Sequence, residues 1–409
     1  MEPGTIWLLI CAALVLFMTP GLAFFYGGLV KAQSVISMMM LSFGAMGLVF
    51  VLWILYGSNM TAVGDGDWIS GWLGNPFADF AMQDMATGDG AASLAGVAFA
   101  GTFAVITTAL ISGAVADRAR FFPWMLFAGL WATIVYFPSQ GWVWGLDGEG
   151  ELSGWIGKLT IGDAAPIDWA GGTVVHISAG AAALALALVL GKRAAGFSKE
   201  SAEPHNVPLV LIGAAILWFG WFGFNTGAAA DGNTGALIFL NTIAAPAAGV
   251  IGYIVVEHFK DGKPTAVGAA SGIVAGLVAI TPACANLTPF WAIVLGLVAG
   301  AVCCFAIDLK YKLGYDDSLD VVGLHLVAGL LGCLYLGFFA TDTGLFTGGD
   351  FDQLIAQIIP TVAVAVFSFA VAFGLGKAID ATIGFRVTEE EEVAGLDNIL
   401  HGGSAYKFD

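Results

Sequence analysis

An all-α integral membrane protein is the fold class this sequence predicts, and three observations carry that reading. Its 409 residues are 58% hydrophobic and only 11% charged, with a mean hydropathy of +0.86. A water-soluble domain normally carries about 25% charged residues, so the solvent here is lipid. The second observation is a succession of apolar runs, each long enough to cross a hydrocarbon core of about 30 Å. The third is the placement of the basic residues between those runs.

Taken in order, the apolar runs give eleven spans, near 5–30, 35–58, 93–115, 121–138, 168–190, 207–227, 235–257, 266–283, 289–308, 320–340 and 354–379. Several are rich in small residues, as in Gly268-Ala-Ala-Ser-Gly-Ile-Val-Ala-Gly276. Small residues let helices approach closely in lipid, so a tight helical bundle is expected. With eleven spans the connecting segments alternate between sides. One side receives Lys31, Arg118, Arg120, Lys192, Arg193, Lys199, Lys260, Lys263, Lys310, Lys312, Lys377, Arg386 and Lys407, and the other Lys158 alone. The basic side is the cytoplasmic one, which puts the N-terminus outside and the C-terminus inside a multi-pass cell-membrane protein. The first run lacks a basic leader and opens with Glu2, so it reads as a span and not as a cleavable signal.

The opposite loops are acidic: Asp65, Asp67, Asp79, Asp84 and Asp89 in one, Asp147, Glu149, Glu151 and Asp163 in another. They serve either as a solvated face or as a field that gathers cations. They do not suit an anion pore. A net charge of −17 likewise offers nothing to a nucleic acid. Residues 1–380 are expected to form one membrane domain. Residues 381–409, with Glu389 to Glu392 in a row, read as a short cytosolic tail. The cysteines Cys11, Cys284, Cys303, Cys304 and Cys333 show no metal-ligand spacing and are expected to pack.

An internal repeat is visible. Asp168-Trp-Ala-Gly-Gly-Thr-Val-Val-His176 is followed by Gly180, and Asp317-Ser-Leu-Asp-Val-Val-Gly-Leu-His325 by Gly329. The two copies open spans five and ten, which start from opposite sides. Spans one to five and six to ten are therefore expected to form an inverted repeat with one further helix added. Each His lies about 12 Å along its helix from its Asp, so the two should meet midway. Ionisable groups in lipid usually face a pathway, and metal binding would need more ligands than this pair supplies. Burial disfavours the charged imidazolium, so both rings are expected neutral. Asp168, at a helix start, can cap free N–H groups, and its charge would also favour a cation nearby. Phe99 and Phe103 share a face of span three, and Trp142 and Trp144 stand at a span boundary. No nucleophile–base or metal constellation points to an enzyme, and no cofactor is implied.

These motifs resemble those of the ammonium transporter family, which includes Mep and Rh proteins. The resemblance runs from Phe25-Tyr-Gly-Gly28 through Gly113-Ala-Val-Ala-Asp-Arg-Ala-Arg-Phe121, Gly220-Trp-Phe-Gly-Phe-Asn225 and Thr281-Pro-Ala-Cys284 to Gly395-Leu-Asp397 and His401-Gly-Gly-Ser-Ala-Tyr406. It implies an eleven-helix protomer in a homotrimer, each protomer with its own pore for ammonium or ammonia. It implies that Phe103 and Trp144 hold ammonium at an outer aromatic site, with Asp168 supporting that site. Phe103 and Phe224 would be a stacked gate. His176, His325 and Trp221 would line the pore, and Phe99, one turn from Phe103, is counted with that lining. Two positions depart from the family pattern: Ala228 stands where a hydroxyl is usual in the outer site, and Leu326 where Gly usually follows the second pore His. The first should weaken recruitment; the second either narrows the pore or repacks a helix contact. Cytosolic regulation by a trimeric PII-type protein is a further implication. An ammonium-sensing receptor on the same scaffold is the competing function.

Overall fold

The computed structural model describes residues 2–64, 67–87, 93–147, 149–194, 196–199 and 203–407. Asp65 and Asp89, two of the expected loop acids, lie outside them. Among the described residues no β-strand forms, only isolated bridges such as Ala119 with Arg386. Ten helices among the described residues are long and apolar enough to cross a membrane: α1 Pro3–Leu29, α2 Val35–Thr61, α3 Leu94–Val115, α4 Phe121–Trp144, α5 Gly172–Leu190, α6 Val207–Thr226, α7 Gly232–Asp261, α9 Pro289–Leu313, α10 Val322–Phe339 and α11 Asp352–Thr382. The apolar helix between α7 and α9, α8 Ala266–Ile280, is shorter. It ends at the Thr281-Pro282 step, where Thr281 keeps helical dihedrals but Pro282 has no N–H to carry the hydrogen-bond ladder on.

Two boundaries move for local reasons. Helix α4 continues through Pro138 to Trp144, and Trp142 is a buried helix residue whose indole donates to Trp72 O at 2.8 Å. The wide turn Ala132–Tyr136 precedes the proline, and such π-type turns absorb a ring that would clash with a regular turn. Helix α5 starts at Gly172 and not at 168, because 168–171 fold back under the first free N–H groups.

Close packing rests on small residues. Helix α1 lies along α6 with Gly21 against Ile216, where an added Cβ would stand 2.7 Å from Ile216 Cγ2. The repeat glycines do the same at the crossing of α5 and α10. A Cβ on Gly180 would be 2.5 Å from the Leu326 nitrogen, and one on Gly329 would be 3.1 Å from His176 Cβ. The shared spacing from His to Gly thus has a cause: each glycine lets the other histidine's helix pass. Leu326 backs onto Gly180 and is absent from the lumen wall, so of its two expected effects the structure shows the helix contact.

After α11 come two short helices, α12 Glu389–Ala394 and α13 Leu396–His401. They dock on the protomer's own loops. Asp397 accepts from the Ile36 and Ser37 nitrogens at 3.0 and 2.8 Å, satisfying the start of α2, and buried Glu392 binds Arg386 at 2.7 Å and the Ala194 nitrogen at 2.7 Å.

Candidate functional site

Both histidines sit in wide helical turns, Gly172–Ile177 and Val322–Leu326. The His176 nitrogen donates five residues back, to Gly171 O at 3.1 Å. Ahead of each turn stands the repeat aspartate. Asp168 accepts from the backbone nitrogens of Gly171 at 2.9 Å, Gly172 at 2.6 Å, Thr173 at 2.9 Å and Val174 at 3.4 Å, and from the Thr173 hydroxyl. Asp317 accepts from the Val322 nitrogen at 2.7 Å. The capping role read from the sequence is therefore present in both halves.

These turns bring the imidazoles together. His176 Nδ1 lies 3.2 Å from His325 Nδ1, and the stacked rings are 5.3 Å apart. One of the two nitrogens must donate and the other accept. A neutral pair then presents one Nε2–H and one bare Nε2. His176 Nε2 is buried with no hydrogen-bond partner. Both rings line an enclosed lumen of about 10 Å³, room for about one water-sized sphere, whose other walls are apolar or aromatic: Leu22, Phe25, Leu110, Val274, Trp221 and Phe224 among them. The Trp221 ring stacks on His176 at 5.5 Å and is anchored by its indole N–H to Thr281 Oγ1 at 2.8 Å.

Phe224 also walls a second space, an open vestibule of about 360 Å³ at the Trp144 end of α4. Between vestibule and lumen stand Phe103 and Phe224, stacked 4.1 Å apart with planes at 18°. Trp144 meets Phe103 edge to face at 6.1 Å and donates to Asp168 O at 2.8 Å. Asp168 thus supports the vestibule wall only through its backbone carbonyl, which holds Trp144, while its carboxylate turns to the helix start. Ala228 lies in the vestibule wall. Phe99 does too, packed on Phe103 at 4.9 Å. That corrects its place in the pore lining, since one turn toward the start of α3 carries it past the stacked pair.

Sequence reasoning missed Gln140 and Trp169 in the vestibule wall. Trp169 sits inside the repeat motif, and its indole donates to Asn225 O at 2.8 Å. Gln140 had only its position four residues before Trp144 to recommend it. Three of the loop acids close turns: Asp67 accepts from Gly64 and Gly71, Asp79 from Asp84 and Met85, and Asp147 from Glu149 and Glu151.

The model of the Ammonium Transporter Family matches residues 6–406. The ammonium transporter of Mycobacterium bovis is 48% identical, the alignment covering 99% of this chain and 90% of that protein. A solved Sensor Amt Protein superposes with a TM-score of 0.88 at 26% identity, covering 98% of both chains. The Mep2 structure of Saccharomyces cerevisiae gives 0.81 at 32% identity, over 94% of this chain and 90% of that one. A pair of facing histidines behind stacked phenyl rings, a family match over almost the full length and relatives of this likeness lead to one conclusion: the chain belongs to the ammonium transporter family.

Proposed function

We propose that this multi-pass membrane protein moves ammonium nitrogen across the membrane, taking up ammonium from the vestibule and passing ammonia through the lumen. The observation that carries the reading is the narrow, apolar lumen in which the Nδ1 atoms of His176 and His325 lie 3.2 Å apart behind the Phe103–Phe224 stack. Ammonium and potassium are of similar size, but only ammonium can lose a proton. A bare cation in such a lumen costs several kcal/mol. Neutral ammonia avoids that cost and can pair with both the donor and the acceptor that the imidazoles present. The vestibule suits the cation instead, because Phe103 and Trp144 offer ring faces. The N–H bond breaks at the stacked pair, which opens by ring rotation. The nitrogen keeps the electron pair and leaves as ammonia. The proton passes either back to vestibule water, giving a pH change without current, or to the bare imidazole Nε2 behind the stack, giving a current.

In this reading Ala266–Ile280 completes eleven spans in an inverted 5+5+1 arrangement, with the vestibule and N-terminus outside and the tail cytoplasmic. Residues 1–380 are the transport domain and 381–409 a regulatory tail, in a homotrimer whose cytosolic face meets a PII-type protein. The relatives' names favour transport over any enzymatic activity. Sensing is the second reading, favoured by the likeness to the Sensor Amt Protein and by Ala228, which brings no hydroxyl to the vestibule wall. Proteoliposomes holding a pH dye, with parallel recording on a supported membrane, separate the two. Ammonium is expected to give a current or a pH change and potassium neither. Saturable ammonium binding with no movement of charge or of pH would leave the sensor.

A further inference from the structure

The vestibule wall is apolar or aromatic apart from one side chain. Its two indole N–H groups are already committed, Trp144 to Asp168 O and Trp169 to Asn225 O. Ala228 contributes a methyl group. The remaining polar group is the amide of Gln140, on α4 four residues before Trp144 and therefore on the same helix face one turn back. Gln140 is only 6% exposed, and its Oε1 has no hydrogen-bond partner. A buried acceptor left unpaired destabilises the folded protein, so such a group calls for an explanation.

We infer that Gln140 is the hydrogen-bond acceptor of the cation site, supplying through Oε1 the oxygen that Ala228 lacks. The inference rests on the reading of the vestibule as the place where ammonium is recruited. Ammonium differs from an alkali cation in carrying four N–H donors. Ring faces attract its charge but do not take a directed hydrogen bond as well as a carbonyl oxygen does. A side-chain amide is nearly symmetric in shape, and a half-turn about its last torsion exchanges oxygen and nitrogen at little steric cost. The entering cation draws the oxygen into the vestibule, and the unpaired acceptor is satisfied when the site is filled. The amide then stands in for the hydroxyl that Ala228 does not provide, placing the acceptor on the last turns of α4 and not in the turn after α6.

The test uses the full chain in proteoliposomes, reading the initial rate of transport against ammonium concentration. Gln140→Leu should raise the half-saturating concentration about tenfold, as expected for losing a hydrogen bond to a charged partner. The effect should fall on half-saturation and not on the maximal rate. Ala228→Ser should restore most of the loss in the Gln140→Leu background, yet change the unaltered protein little. Trp144→Leu serves as the control for the cavity itself. If it raises half-saturation while Gln140→Leu does not, the inference about Gln140 is overturned and the vestibule reading stands. If neither change has an effect, both fall together. Should Gln140→Leu fail to fold, Gln140→Glu decides: the retained acceptor with added charge must lower half-saturation, and a value at or above that of the unaltered protein overturns the proposal.

Discussion

A single carboxylate shows how a residue's chemistry can be legible while its direction is not. Asp168 was readable as a cap from its place before Gly171-Gly172, and the structure gives it four backbone donors and a hydroxyl. Its expected second role, charge presented to an arriving cation, is narrower than the sequence implied, because the oxygens are already committed to the helix start. Asp168→Ala is expected to abolish transport. It strands several N–H groups, each costing about 1–3 kcal/mol when buried without a partner, and it frees the loop that holds Trp144. Asp168→Asn and Asp168→Glu should keep a damaged remainder, the first because one oxygen still accepts while the amide faces donors. Transport rates in vesicles and melting temperatures in detergent check this together. Near-normal rates in Asp168→Ala would show that neither capping nor charge is needed. Gln140 escaped notice for the opposite reason: a lone glutamine in an apolar helix has no periodicity or spacing that announces a site, and only its neighbours in space give it meaning.

At the scale of helices, the repeated motif was visible in Asp168…His176…Gly180 and Asp317…His325…Gly329, and so was the meeting of its histidines. What stayed hidden was the wide-turn geometry at Gly172–Ile177 and Val322–Leu326, since no residue type favours a π-type turn strongly enough to mark it. The end of α4 was lost to the same cause, Pro138 reading as a stop where the turn before it allows the helix to go on. The two repeat glycines are equivalent in sequence but not in space. An added Cβ meets Leu326 backbone at 2.5 Å from Gly180, whereas from Gly329 its nearest neighbours are side-chain atoms at 3.1 Å. Gly180→Ala is therefore expected to be the more damaging, by about 1–3 kcal/mol of overpacking, and to separate the histidines by pushing α10 away. Gly329→Ala should be nearer neutral. Melting temperatures of the two variants test the order, and equal losses would mean that the crossing yields as easily at one glycine as at the other.

Across the whole molecule, the face opposite the vestibule is fastened by ion pairs between loops. Asp316 binds Arg118 at 3.1 Å and Arg193 at 3.0 Å, with Asp316 and Arg118 fully buried. Burial pushes the Asp316 carboxyl up, but the two guanidinium groups outweigh it and hold it below the usual carboxylate range. A depressed folded value gives stability that is complete above the unfolded value of about 3.9 and is lost as pH falls through the folded one. Arg118→Met removes one partner and should raise the acid-unfolding midpoint by about one pH unit, read by tryptophan fluorescence in detergent. The basic loops were legible from charge alone, but their pairing was not, because it joins segments far apart in the chain. Part of their charge is spent within this face, Lys260 and Lys199 on Asp308 and Lys310 on Asp320. That bears on the tail. The structure divides its acids: Glu392 is buried on Arg386 and Glu391 caps Thr388, while Glu389 and Glu390 face outward. The tail is thus docked by Glu392 and Asp397 and still presents charge. Deleting 387–409 removes both anchors together with that charge, so it should leave the pore folded and transporting, lower the melting temperature, and weaken inhibition by a cognate PII-type protein. Asp397→Ala separates the causes, since it loosens the tail from α2 while keeping Glu389 and Glu390. If the loosened tail alone abolishes inhibition, the docked geometry is what the regulator reads. If both variants bind the regulator and are inhibited as the intact chain is, the loops suffice and the tail serves only its own protomer.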